Sequence, residues 1–194
     1  MVNYYKDKEN VLEYIEMAEG YDGKALIEHL RDYLQEGSSV LELGMGPGKD
    51  LDILKKYYQV TGSDFTKHFL DLYKENHQDD NIDLLLLDAR KLDIKRQFDC
   101  IYTNKVLYHL TEEEMIESLR RQKDLLNENG LLLHSFWEGN KKEKFKGINF
   151  VYYTKERIIE IINSHFSDVY EILEIEYYKE MEEKDSIYII LKKK

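Results

Sequence analysis

The 194-residue chain has a single cysteine, Cys100, a single proline, Pro47, and a single tryptophan, Trp137. One cysteine leaves no partner for an internal disulfide and cannot build a multi-cysteine metal site, so no metal is expected. No apolar run approaches the length of a membrane span. The opening MVNYYKDKENVLEYIE lacks the charged-then-apolar pattern of a secretory signal, so the expected location is cytoplasmic, with no membrane partner. Positive charge is also scarce: 28 Lys and Arg stand against 39 Asp and Glu, a formal net charge of −11. Such a surface repels phosphate backbones, and nucleic acid is not an expected partner. A local basic run, KKEKFK from Lys141 to Lys146, reads as a solvated loop. No repeat, low-complexity tract or Pro/Gly-rich linker interrupts the chain. With 42% apolar residues it reads as one domain, 1–194, long enough to bury a core.

What the chain does have is a regular alternation of short apolar runs with amphipathic stretches. Leu26, Ile27, Leu30, Tyr33 and Leu34 have helical spacing. SVLELG then reads as a buried strand, KDLDILKKYY as a helix, YQVTGSD as a strand and TKHFLDLYKEN as a helix with Thr66 at its cap. IDLLLLDA and FDCIYTNKVL are the third and fourth strands. Thr111 and Glu114 have capping-box spacing for a helix that is expected to run to Gly130. GLLLHSFW is a fifth strand, and Thr154 can cap the helix TKERIIEIINSHF. VYEILEIEYYKEM and DSIYIILKKK are two closing strands with no helix between them, hence antiparallel. The alternation predicts a doubly wound α/β sandwich, whose ligand site lies outside the carboxyl ends of the strands.

At the end of the first strand stands VLELGMGPGKD, Val40 to Asp50. Three ligand classes use a glycine loop there. A triphosphate loop needs Gly-x-x-x-x-Gly-Lys-Ser/Thr, but Leu43 replaces the first glycine and Asp50 the hydroxyl. A dinucleotide loop reads Gly-x-Gly-x-x-Gly, whereas here Lys49 occupies the place of the third glycine. The third class carries an amino-acid tail, a cationic sulfur, a ribose and an adenine, and it wants acids. Glu42 and Asp50 would face the ammonium, and the bare backbone of the loop would admit the tail. Asp64, ending the second strand, would accept from two ribose hydroxyls, and Asp88 with Ala89, ending the third, would meet the adenine edge.

With these residues the chain resembles the class I S-adenosylmethionine-dependent methyltransferases, from about Val40 onward. VLELGMGPGKD resembles the first motif of that family, VTGSD the second, LLLLDA the third, and FDCIYTNKVLYHL the fourth-strand motif of its small-molecule branch. LLNENGLLLHSF resembles the glycine-marked lead-in to the fifth strand. The resemblance implies a seven-stranded sheet of order 3-2-1-4-5-7-6 with strand 7 antiparallel, a Rossmann-like methyltransferase fold. It implies methyl transfer from S-adenosyl-L-methionine by in-line displacement to a small-molecule acceptor. The cofactor set it implies is Glu42, Gly44, Gly46, Gly48, Asp50, Asp64, Phe65, Asp88, Ala89, Asn104 and Tyr21. Base-amine methylating enzymes usually carry Asn/Asp-Pro-Pro-aromatic after the fourth strand. Here Lys105-Val106-Leu107 follow Asn104, and Cys100 sits mid-strand as a core residue rather than a nucleophile.

On the acceptor side the resemblance implies a helical lid or cap from residues 1–37 over a catalytic core of 38–194. Tyr14, His109, Phe136, Trp137 and Tyr153 are the expected acceptor-pocket residues, with Tyr4, Tyr5, Tyr21 and Tyr152 nearby. His109, just after the fourth strand, is the candidate base, and the alternative for it is a packing histidine. His134, inside the fifth strand, reads as a core or edge histidine. Two other functions stay open. A nicotinamide-dependent oxidoreductase has the glycine spacing and the terminal hairpin against it, and a non-catalytic cofactor-binding module would show damaged motifs. Acceptor identity and oligomeric state are not written in the sequence.

Overall fold

Buried strands alternate with helices that cover both faces of one sheet in the computed structural model, which describes residues 4–78 and 81–194. A 3₁₀ turn, Tyr4–Lys6, leads into α1 (Lys8–Met17) and α2 (Lys24–Arg31). The sheet then begins with β1 (Ser39–Leu43), α3 (Lys49–Leu54), β2 (Gln59–Asp64), α4 (Lys67–Asn76), β3 (Asp83–Leu86) and β4 (Phe98–Thr103). It continues with α5 (Glu112–Asp124), β5 (Leu126–Trp137), a ribbon of β6 (Lys142–Phe145) and β7 (Ile148–Val151), α6 (Lys155–Phe166), β8 (Tyr170–Tyr178) and β9 (Ser186–Lys193).

The sheet order is β3-β2-β1-β4-β5-β9-β8. β1 to β5 pair in parallel, while β9 runs antiparallel to both β5 and β8. This is the order the resemblance implied, with β8 and β9 as the sixth and seventh strands. Neighbouring residues of the central strands go to opposite faces, and both are apolar because both are covered. Leu41, Ile101 and Leu132 join one buried cluster with Ile158, Ile161 and Ile162 of α6. Val40, Cys100, Tyr102 and Leu133 join the other with Leu26, Ile27 and Leu30 of α2. Cys100 is a fully buried core residue, as expected.

Three local expectations are corrected. Helix α5 stops at Asp124, six residues short of Gly130. Leu125 and Leu126 are both buried, and Leu126 already pairs with Phe98. The next pair is Cys100 with Leu131, so residues 127–130 bulge out of the ladder, with Asn129 at φ 62°. Gly130 serves that bulge: a Cβ there would stand 2.9 Å from the Asn127 carbonyl oxygen. The Lys141–Lys146 run is not a loop; Lys142–Phe145 form β6, exposed throughout. Thr66 holds the N-cap position of α4 but makes no capping hydrogen bond, whereas Thr154 caps α6 and Thr111 forms the full capping box with Glu114. Among the described residues no helix is long and apolar enough to cross a membrane.

Gly62, in the middle of β2, lets the glycine loop and α3 lie directly on the strand. A Cβ there would come within 2.8–2.9 Å of Leu84, Leu51 and the Met45 sulfur. Gly62→Ala is therefore expected to destabilise the fold by about 1–3 kcal/mol through overpacking, read as a lowered urea midpoint at unchanged m.

Candidate functional site

The loop after β1 is held by its own amides, since Gly44 N and Met45 N both donate to the Ser63 carbonyl at 2.8 and 2.9 Å. Its glycines at 44, 46 and 48 all have positive φ, of 72°, 51° and 87°. Their surroundings differ. A Cβ on Gly48 would strike the Tyr73 ring at 2.3 Å and one on Gly44 would strike Val106 at 2.6 Å, whereas at Gly46 the nearest atom is Tyr14 Cε1 at 3.8 Å. Gly48, expected to face a ligand, instead lets α3 pack on α4. Gly46 is the open position.

Beside the loop lies a cleft of about 270 Å³. The expected residues Glu42, Gly44, Gly46, Asp50, Asn104, Tyr21, Tyr14 and Trp137 all line it. Asp50 is buried and fully engaged. Its carboxylate accepts from Gly23 N at 2.6 Å, Tyr102 Oη at 2.7 Å and Asn104 Nδ2 at 3.0 Å. It ties the start of α2 to the end of β4 while lining the cleft, with three of its acceptor positions taken inside the protein. Glu42 is different: it is buried, and its Oε2 has no hydrogen-bond partner. Burial, then the nearby Asp50 and Asp64, push the Glu42 carboxyl well above the usual carboxylate range.

Asp64 is buried at the loop's other side, where Gly46 N and Thr66 N donate to it at 3.1 and 2.8 Å. Burial raises its pKa to about 6, although those amides pull it down. Asp64 does not line the cleft. Tyr5 lies close to it, and the Tyr5 ring packs against Phe65 and Phe69 at 6.0 Å, with Tyr14 against Phe69 at 5.7 Å. The N-terminal segment therefore covers the Asp64 side with aromatic rings. Asp88 also lies off the cleft, with Arg90 as its partner: Arg90 Nη2 donates at 2.6 Å and Arg90 N at 2.9 Å. The Ala89 carbonyl accepts from Ser118 Oγ at 2.6 Å.

The acceptor-side expectations divide. Phe136 and Tyr153 are core residues in edge contact at 5.3 Å, not cleft walls. His109 Nδ1 donates to the Asn149 carbonyl at 2.8 Å, with the ring against Tyr108 and Phe150. Burial lowers its pKa to about 4, and it does not line the cleft. The packing alternative describes His109. His134 is buried, with Nδ1 at 2.8 Å from Thr103 Oγ1. Sequence reasoning missed Lys105, Tyr108, Glu180 and Met181, all of which line the cleft. Glu180 and Met181 come from the turn between β8 and β9, and no local pattern near the glycine loop points to them.

Comparisons with known proteins fit this geometry. Residues 40–130 match the family model described as "Methyltransferase domain". A curated relative, the ribosomal protein L11 methyltransferase of Dictyoglomus thermophilum, is 30% identical over 118 residues, 59% of this chain. The matched stretch spans 38% of that relative's length. The Burkholderia thailandensis 1,6-didemethyltoxoflavin-N1-methyltransferase, solved with 1,6-didemethyltoxoflavin and S-adenosylhomocysteine, superposes at TM-score 0.77 and 16% identity, covering 88% of this chain and 77% of that one. The N-methyltransferase NodS from Bradyrhizobium japonicum, solved with S-adenosyl-L-homocysteine, superposes at 0.72 and 15% identity, covering 98% of each.

The Asp50 contacts predict a structural phenotype. Asp50→Ala leaves three donors without their acceptor, and stability is expected to fall by roughly 2–5 kcal/mol. Faster amide hydrogen exchange at Gly23 would report the released segment.

Proposed function

Because residues 40–130 match a methyltransferase-domain model and the fold is that of solved methyltransferases, we propose that the chain binds S-adenosylmethionine in the glycine-loop cleft and methylates a small-molecule acceptor. The observation that carries this reading is the unpartnered Glu42 Oε2, buried in the cleft wall with Asp50 and Asp64 close behind it. A buried carboxylate among others is costly unless a cation joins it. The cofactor's ammonium and sulfonium supply that charge, and its methyl group is the one transferred.

In this reading Glu42 takes the ammonium, and the open backbone at Gly46 passes the amino-acid tail. Asn104 and Tyr21 border the same space. Asp64 takes the ribose hydroxyls, with Phe65, Asp88 and Ala89 on the adenine side. A 270 Å³ cleft is just under the roughly 300–1,000 Å³ of ligand pockets. The nucleoside half fits once Tyr5 and the segment around it, part of the 1–37 lid, move off Asp64. The 38–194 core contributes alignment and exclusion of water, which can supply much of the rate. The structural neighbours named as N-methyltransferases support nitrogen as the acceptor atom. A nicotinamide dinucleotide is disfavoured because its pyrophosphate would meet Glu42, Asp50 and Asp64.

Calorimetry tests this. S-adenosylmethionine should bind while NAD does not, and Glu42→Gln should weaken binding by about 1.5–3 kcal/mol, the scale of a hydrogen bond to a charged group. Unchanged affinity in that variant would remove Glu42 from the site.

A pH dependence follows as well. A bound cation lowers the pKa of nearby carboxylates, so Asp64, at about 6 in the free protein, gives up its proton on binding. Affinity should rise between pH 5 and 7. At pH 6, titrations in buffers of different ionisation enthalpy should show net proton release, reduced in Asp64→Asn.

A further inference from the structure

Resting on that reading, we propose that Lys105 is the group that takes a proton from the acceptor, and that the acceptor is an alkyl amine on an apolar body. Lys105 stands two residues past the end of β4 and holds a left-handed backbone at φ 54°, which a non-glycine residue seldom adopts unless its surroundings compel it. The compulsion is visible. Lys105 N donates to Ser135 Oγ at 2.9 Å, Ser135 Oγ donates to Asn104 Oδ1 at 2.7 Å, and Asn104 Nδ2 donates to Asp50. This chain of hydrogen bonds turns the Lys105 side chain into the cleft wall.

The amine there has fixed partners. Nζ donates to the Phe136 carbonyl at 2.9 Å and to Ser186 Oγ at 2.6 Å. It lies 4.0 Å from the Trp137 ring centre and 5.0 Å from that of Tyr178. A neutral amine has two N–H donors and one lone pair. Both donors are used within the protein, so the lone pair remains as the group's one acceptor position. Burial lowers the Lys105 pKa to about 7, against the attraction of Glu180 and Asp185. The amine can therefore be neutral and basic at working pH, unlike His109, which lies off the cleft.

The acceptor class follows from the same walls. Leaving aside Glu42, which takes the cofactor's ammonium, Asp22, Asp50 and Glu180 outnumber Lys49 and Lys105 among the charged cleft residues, and the Lys49 ammonium is already bonded to the Ala18 carbonyl at 2.6 Å. That balance favours a cation. Met17, Tyr21 and Met181 line the cleft while keeping large exposed apolar surface, which suits an apolar body behind the reacting nitrogen. An alkylammonium has no lone pair with which to attack, so it must first be deprotonated. In the proposed step one N–H bond of the acceptor ammonium breaks and its electron pair stays on the acceptor nitrogen. The proton bonds to Nζ, and Lys105 later returns it to water.

The test uses 2-phenylethylamine and phenylacetate as probes, titrated into the full chain loaded with S-adenosylhomocysteine. The amine is expected to bind at least tenfold more tightly than the carboxylate. Its affinity should rise about tenfold from pH 6 to pH 8 as Lys105 loses its charge. Lys105→Met should abolish that rise, and Lys105→Arg should bind the amine weakly at every pH and covers the case in which the methionine variant fails to fold. Glu180→Gln, which removes a carboxylate that holds the Lys105 pKa up, should move the rise to lower pH. Preference for phenylacetate, or no amine binding at all, overturns the acceptor class. An unchanged pH rise in Lys105→Met overturns the role of Lys105. Failure of wild-type protein to bind S-adenosylhomocysteine instead brings down the cofactor reading itself.

Discussion

The carboxylate of Asp50 joins parts of the chain that lie far apart in sequence. It sits in the first turn of α3, yet it takes hydrogen bonds from the start of α2, from the end of β4 and from Asn104 just beyond it. Because Asn104 continues through Ser135 to the Lys105 amide, one carboxyl group links the glycine loop, the start of α2 and the fifth strand. Three donors compensate much of the desolvation that burial imposes on it. This polar staple acts beside the apolar packing of Leu26, Ile27 and Leu30 on the sheet.

The same concentration of acid is electrostatically unfavourable without a cation beside it. Glu42, Asp50 and Asp64 all have raised pKa values with burial as the first cause. A raised carboxylate contributes stability below its unfolded pKa that is lost as pH climbs through the folded one, so these groups weaken the unliganded fold at neutral pH. Asp88 and Asp99 work in the opposite sense, since Arg90 and the Ser39–Asn127 donors hold their pKa values down. The strain is thus local to the cleft, and a cationic ligand relieves it where it arises.

Much of the fold was readable because periodicity reports burial. Leu131, Leu132 and Leu133 alternate between two covered faces, and a continuous apolar run states as much. The bulge at residues 127–130 was not readable, because an Asn-Glu-Asn-Gly string suits a helix end as well as a ladder defect. Glu42 was readable from its place before the glycines. The engagement of Asp50 was not, because Gly23 and Tyr102 are distant in sequence and carry no mark of their partner. Phe136 and Tyr153 misled for a simple reason: an aromatic ring fills a core and a pocket wall equally well. Lys105 was passed over because a lysine in a loop normally means solvent, and only its neighbours reveal otherwise.

The glycine loop carries a last implication. Gly48 and Gly44 are required by Tyr73 and Val106, two side chains of the same chain that leave no room for a β-carbon. A descendant that had abandoned its chemistry would keep both, since losing either would damage folding first. Glu42 has no such protection: its Oε2 makes no hydrogen bond within the protein. Within a lineage, then, the proposed role of Glu42 implies that this one acid is lost when the chemistry is, while Gly44 and Gly48 are kept for as long as the chain folds.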